Sequence, residues 1–203
     1  DSKMTTNITK AIPKITYRNL LKVIARQRTR AVVKPFQPRP IEKERKQHIS
    51  IYDCTPSTLK KETPKTVEDC FHFHATPSIT WINLDAIDKH EMEKLSSHFN
   101  IHWLIQEDIM SYGQRPKVDE IEGVMYVLLN MLFVNAENWL IEQEQISIVL
   151  GPNYILSFQE DAERDVFDPI RKRLLIAKSR ERERGPDYLF YSLIDIIVDS
   201  YLL

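Results

Sequence analysis

Glycine is scarce in this chain, with 4 residues in 203, against a usual share of ~7%. Loops that cradle phosphates need several glycines at fixed spacing, so Walker and dinucleotide-binding fingerprints are excluded. Cysteine is scarcer still. Cys54 and Cys70 stand 16 residues apart, which makes neither a disulfide framework nor a paired-cysteine zinc site. A reducing compartment is the simpler reading. No stretch approaches the ~20 continuous apolar residues that a membrane-crossing helix requires. The best candidate, Val124 to Val134, has 11 residues and contains Asn130. The basic residues near the start are not followed by the apolar core of a secretory signal. Gly-x-Ser-x-Gly is missing, and no Ser-His-Asp or Cys-His set has a recognisable local motif. Nothing in the sequence argues for an enzyme.

What is present is a globular composition with divided charge. Hydrophobic residues make up 42%, enough for a sizeable core, and the length suits one domain plus an extension. The formal net charge of −1 hides an asymmetry. Residues 1–47 hold 13 Lys and Arg against 3 acids, a balance of +10, whereas residues 48–203 hold 15 against 26, a balance of −11. The basic part reads as an arm with a short helix around Leu20, Leu21, Val23 and Ile24, then a linker punctuated by Pro35, Pro38 and Pro40. Such an arm can meet nucleic acid or anionic lipid, stay solvated, or dock on the acidic domain. Aromatic residues are not interleaved with the basic ones as a single-strand-binding platform requires.

Residues 48–203 predict an α/β domain. Ile49 to Tyr52, the alternating Cys70-Phe-His-Phe-His74 and Ser78 to Leu84 read as strands. Asp88 caps a helix that runs to about His98, with Glu91 three residues on as in a capping box. A short helix covers Trp103 to Ser111. Val124 to Val134 suits a strand buried on both faces. Gln145 to Leu150 and Tyr154 to Phe158 flank Gly151-Pro-Asn153 as a hairpin. A single helix is predicted from Asp165 to Arg184, ended by Gly185-Pro186. The last segment, Asp187 to Leu203, is a helix apolar around most of its circumference, so it needs partners. Its polar stripe is Ser192, Asp195 and Asp199. The segment lacks a capping residue at Leu203, and the sequence is expected to be a fragment cut inside that helix.

Several groups carry chemical potential. His72 with His74, and His98 with His102, have spacings that could supply two zinc ligands each, but no third ligand completes a motif. Glu107 and Asp108 follow a short apolar helix, where both can reach a hard cation; considered alone, they are more simply a solvated acidic pair. Asp195 and Asp199 lie one turn apart on an otherwise apolar helix, where acids are paired, ion-bound or at an edge. Arg171-Lys-Arg173 and Arg180 to Arg184 are basic and mixed-charge runs on one helix; the second is most simply a solvated face with i,i+3 and i,i+4 charge pairs, and a phosphate site is the alternative.

Four blocks in order bear a family resemblance. They are Gln106-Glu-Asp-Ile109, Gln114-Arg-Pro-Lys117, Ser157-Phe-Gln-Glu160 running on to Asp165-Val-Phe-Asp-Pro-Ile-Arg171, and Asp187-Tyr-Leu-Phe-Tyr-Ser-Leu-Ile-Asp195. Together they resemble the CorA family of magnesium and cobalt transporters over residues 48–203. The resemblance implies an α/β/α sandwich with a mixed central sheet, followed by the start of a long helical region. It implies the cytoplasmic domain of a homopentameric membrane protein, on the cytoplasmic face of the cell membrane, with the stalk, the membrane helices and the Gly-Met-Asn pore signature outside these residues. It also implies regulatory Mg²⁺, with Co²⁺ as an alternative, held between cytoplasmic domains. Matched block by block, the metal ligands are Glu107, Asp108 and Asp195, completed by an acid on a neighbouring stalk. Where some members carry a His before Gln-Arg-Pro-Lys, this chain has Gly113. Two other readings stand beside this one: the cytoplasmic domain of a ZntB-type Zn²⁺ transporter, and a soluble protein that binds nucleic acid or anionic lipid through residues 10–46. On the leading reading no nucleic-acid partner is expected.

Overall fold

The computed structural model describes residues 46–111, 113–134, 141–162 and 166–202. The basic arm and its short helix therefore lie outside the described residues, apart from Lys46 and Gln47. The strands are β1 (His48–Cys54), β2 (Leu59–Glu62), β3 (Ile79–Asp85), β4 (Lys117–Ile121), β5 (Val124–Val134), β6 (Ile141–Leu150) and β7 (Tyr154–Gln159). The helices are α1 (Lys89–Phe99), α2 (Trp103–Met110), α3 (Asp168–Leu175), α4 (Arg180–Glu183) and α5 (Pro186–Asp199).

The strands form one sheet in the order β2-β1-β3-β7-β6-β5-β4. β3 and β7 run parallel, and the other pairs are antiparallel. Alternate residues point to opposite faces of a strand, and here both faces are covered. One face presents Trp81, Val127, Leu129, Ile148 and Ile155 to α3 and α5. The other presents Ile82, Tyr126, Leu128, Val149 and Leu156 to α1 and α2. The result is the α/β sandwich with a mixed sheet that the sequence predicts.

Burial on both sides explains the continuous apolar run of β5, which has the bounds predicted for it. The N-cap prediction for α1 holds, since Asp88 Oδ1 accepts the Glu91 N–H at 2.8 Å; the Glu91 carboxylate itself accepts from Gln47 Nε2. Asn100 closes that helix in the left-handed region. In α5 the buried set Leu189, Phe190, Leu193, Ile194 and Ile197 makes a helical stripe against the sheet. Polar groups inside one face are joined in a chain. Trp81 Nε1 donates to Ser157 Oγ at 2.9 Å, Ser157 to Asn83 Oδ1 at 2.6 Å, and Asn83 Nδ2 to Asp85 Oδ1 at 2.9 Å. Because this chain crosses from β3 to β7, a slip of register would strand buried polar groups.

Two predictions are corrected. Cys70 to His74 is not a strand but part of a 3-10 turn, Glu68–Ala75. Its buried residues are Cys70 and Phe73, three apart, which is the period of a 3-10 helix; the Phe/His alternation happens to contain the same spacing. His72 and His74 thus do not share a strand face. The helix read over Asp165 to Arg184 is interrupted within its described part, between Leu175 and Arg180. Lys178 takes a left-handed φ of 57° there. Its N–H donates to the Pro56 carbonyl at 2.9 Å, and Arg182 Nε donates to the Thr55 carbonyl at 2.8 Å. The β1–β2 turn therefore pulls the chain out of helical geometry, and the two basic runs fall on separate helices.

Candidate metal centre

The acids Glu107 and Asp108 sit in the last turn of α2. That helix starts where His102 accepts the Leu104 N–H at 3.3 Å, and it is anchored by Ile105 and Ile109, both buried. Anchors four residues apart turn Glu107 to the solvent, while Asp108 is half-buried beside the sheet. Asp108 Oδ2 is ion-paired with Lys117 Nζ at the start of β4. The backbone carbonyl of Asp108 accepts from Gln145 Nε2 at 3.1 Å, and Gln145 Oε1 accepts the Gln114 N–H at 3.2 Å. The buried Gln145 side chain thus bolts the end of α2 to the Gln-Arg-Pro-Lys segment. Sequence reasoning missed Gln145 in this role: it stood only as the first residue of a strand read from Gln145 to Leu150, whereas β6 begins at Ile141 and holds Gln145 in its middle.

Asp195 lies on the exposed flank of α5 and accepts from Tyr191 Oη at 3.2 Å. Burial, with the neighbouring Asp195 carboxylate next in effect, raises the Tyr191 phenol above its ordinary range. The core residues beside Asp195 belong to one face of the sheet, and those beside Glu107 and Asp108 belong to the other. The sheet therefore separates the predicted ligands, and one copy of the chain does not bring all three together. No group of three or more His, Cys, Asp or Glu among the described residues is arranged to hold a metal ion.

The remaining candidates have structural work. His98 Nε2 lies 2.9 Å from the Phe71 carbonyl, and its ring stacks on Phe71 at 4.1 Å. His102 caps α2. Cys54 and Cys70 are free and buried, and burial pushes their thiols up to about 11 and about 12. One buried acid was not foreseen. Glu144 is fully buried in β6, where its Oε1 accepts the Glu160 and Asp161 N–H groups at 2.9 and 2.8 Å. Burial pushes its carboxyl up to about 7.

The profile of the CorA-like Mg²⁺ transporter protein family matches residues 77–203. The chain belongs to the CorA family. Among curated relatives, the cobalt/magnesium transport protein CorA of Thermotoga maritima is 38% identical over 138 residues, 68% of this chain and 39% of that protein. The putative metal ion transporter YfjQ of Bacillus subtilis is 29% identical over 135 residues, 62% of this chain and 38% of that protein. The chain thus spans about two fifths of the length of these two curated relatives. The soluble domain of CorA from Methanocaldococcus jannaschii shares the fold, with a TM-score of 0.54 at 20% identity, over 76% of this chain and 57% of that one. So does the ZntB cytoplasmic domain from Vibrio parahaemolyticus, with a TM-score of 0.56 at 16% identity, over 76% of this chain and 60% of that one. No helix among the described residues is long and apolar enough to cross a membrane.

Proposed function

We propose that this chain is the divalent-cation-sensing cytoplasmic domain of a CorA-type Mg²⁺/Co²⁺ transport channel, and that Glu107, Asp108 and Asp195 contribute ligands to ions held between copies in a homopentamer. The carrying observation is the placement of these acids. Glu107 and Asp195 stand on outward flanks of opposite helical layers, out of reach of a common ion in one copy. An ion that needs both must bridge two copies. It then favours whichever arrangement of copies brings the acids together, by its differential affinity for that arrangement. Mg²⁺ suits such a site because it keeps several waters and takes only one or two carboxylates. When the ion leaves, facing carboxylates repel and the arrangement loosens.

Asp108 adds a competitor, since Lys117 already neutralises it. An ion binding there displaces the ammonium or shares the carboxylate with it. The choice of Mg²⁺ and Co²⁺ rests on the likeness to the Thermotoga cobalt/magnesium transport protein; Zn²⁺ is the second reading, because the ZntB domain is as close in fold as the Methanocaldococcus CorA soluble domain. The test is calorimetric titration and thermal melting with Mg²⁺, Co²⁺ and Zn²⁺, in wild type and in Glu107→Gln, Asp108→Asn and Asp195→Asn. A ligand at 100 times its Kd stabilises by about 2.7 kcal/mol. Equal responses in wild type and all three variants would remove these residues from the site.

A further inference from the structure

The histidines that the sequence spaces as His72 with His74 and His98 with His102 are re-paired by the fold. The 3-10 turn Glu68–Ala75 packs on α1, and Lys94 Nζ of α1 pairs with Glu68 Oε1 at 2.6 Å across the joint. In this joint His74 meets His98, with ring centres 5.5 Å apart and ring planes at 72°. Both rings are half-buried. Phe71 stacks on His98 at 4.1 Å, and Phe99 and Tyr154 stand against His74 at 5.3 and 5.5 Å.

Each of the two rings keeps a lone pair. A carbonyl oxygen only accepts, so His98 Nε2, 2.9 Å from the Phe71 carbonyl, carries the proton, and Nδ1 of the neutral ring holds the lone pair. A backbone carbonyl behind one ring nitrogen is also how metal-ligating histidines are oriented. His74 has no hydrogen-bond partner among the described residues, although half of it is withdrawn from water. Two imidazoles on one ion, with metal–nitrogen bonds of ~2.0–2.1 Å at near-tetrahedral angles, have ring centres roughly 5 Å apart. The separation of 5.5 Å between His74 and His98 needs only a small side-chain adjustment to meet that. Inclined planes are no obstacle, because the ion must lie in the plane of each ring and the rings need not share one. The other histidines lack this arrangement. His102 spends its Nδ1 lone pair on the Leu104 N–H at 3.3 Å, His48 is held by Asp85, and His72 and His90 are exposed.

We propose that His74 and His98 form a second cation site, selective for borderline transition metals such as Zn²⁺, Cu²⁺ and Ni²⁺, with water completing the coordination. Neutral imidazole suits these ions. Mg²⁺ requires oxygen ligands and gives up its waters reluctantly, so the pair does not take it. One ligand comes from the 3-10 turn and one from α1, so a bound ion fastens the two together. A consequence rests on the cation-sensing reading above: the domain then separates transition metals from Mg²⁺ at residues distinct from Glu107, Asp108 and Asp195. The site itself does not rest on that reading.

The test uses the full chain carrying Glu107→Gln, Asp108→Asn and Asp195→Asn, so that these acids contribute nothing. Calorimetry should show Zn²⁺ binding that excess Mg²⁺ does not displace. His98→Gln keeps a donor for the Phe71 carbonyl. Added to this background and shown by melting to be folded, it and His74→Ala should each weaken Zn²⁺ binding at least about tenfold, the loss found even for changes behind a metal ligand. His72→Ala should leave the affinity unchanged. Equal affinity in all these proteins, or displacement by Mg²⁺, would overturn the proposal. A second measurement needs no histidine variant. Diethyl pyrocarbonate modifies histidine rings, and mass spectrometry locates the adducts. With Zn²⁺ at ten times its Kd roughly a tenth of the sites stay free, so modification of His74 and His98 should slow about tenfold. His72 and His90 should react at their metal-free rates. Protection shared equally by all four, or absent from His74 and His98, would overturn the assignment. The acid titration and these measurements change different residues, so either reading can fail without the other.

Discussion

Glu144→Gln should stabilise the domain above neutral pH and have no such effect in acid. In wild type the buried carboxyl titrates at about 7, against 4.5 for a free one, chiefly because burial disfavours its charged form. Below pH 4.5 both the folded and the unfolded chain carry the proton, and the group imposes no penalty. Between pH 4.5 and about 7 the unfolded chain ionises and the folded one does not, so stability falls as pH rises. Above about 7 the full penalty applies. At ~1.4 kcal/mol per pH unit of separation, that penalty is about 3 kcal/mol. Glutamine keeps an oxygen for the Glu160 and Asp161 N–H groups but cannot ionise. It places an amide where Oε2 has no partner among the described residues. That fault costs about 1 kcal/mol at every pH, so it cancels when two pH values are compared. Urea denaturation of both proteins at pH 5 and pH 8 measures the difference. The wild type should lose about 2–3 kcal/mol more than Glu144→Gln across this interval. Parallel pH profiles for the two proteins would refute the reasoning.

Other predictions follow from single contacts. Lys117→Gln releases Asp108 from its ion pair; if the ammonium competes with a divalent ion, calorimetry should show binding tightened by about tenfold, close to 1.4 kcal/mol. Gly151→Ala puts a methyl where the Tyr154 ring already packs, and Tyr154 cannot swing away without losing its 2.9 Å hydrogen bond to the Phe99 carbonyl. A loss of about 1–3 kcal/mol in denaturation is expected. Gln145→Leu cuts the bolt between α2 and residue 114, taking the acceptor from the Gln114 N–H, while the Asp108 carbonyl keeps the Ser111 N–H at 3.3 Å. That should lower stability by about 1–3 kcal/mol and weaken the Mg²⁺ response measured by melting.

Much of the fold is legible in the sequence where burial is two-sided or a cap is local. β5 announces itself because a strand covered on both faces over most of its length is apolar almost throughout, and α1 because Asp88 and Glu91 settle its start within four residues. The edge strands β2 and β4 give no such signal. Leu59-Lys-Lys-Glu62 and Lys117-Val-Asp-Glu-Ile121 are short and mostly polar, since an edge needs charge more than apolar content. The break between α3 and α4 is likewise unreadable, because its cause is the distant β1–β2 turn.

The candidate site divides along the same line. Sequence by itself determined the family, the acidic character of the domain, and the identities of Glu107, Asp108 and Asp195 as candidates, since ordered motifs and charge are properties of the chain. Only the tertiary structure decided that Lys117 neutralises Asp108, that Gln145 holds the end of α2, and that Asp195 lies across the sheet from the other two. These are distances between residues far apart in sequence, set by how two helical layers close on one sheet. No local spacing encodes them.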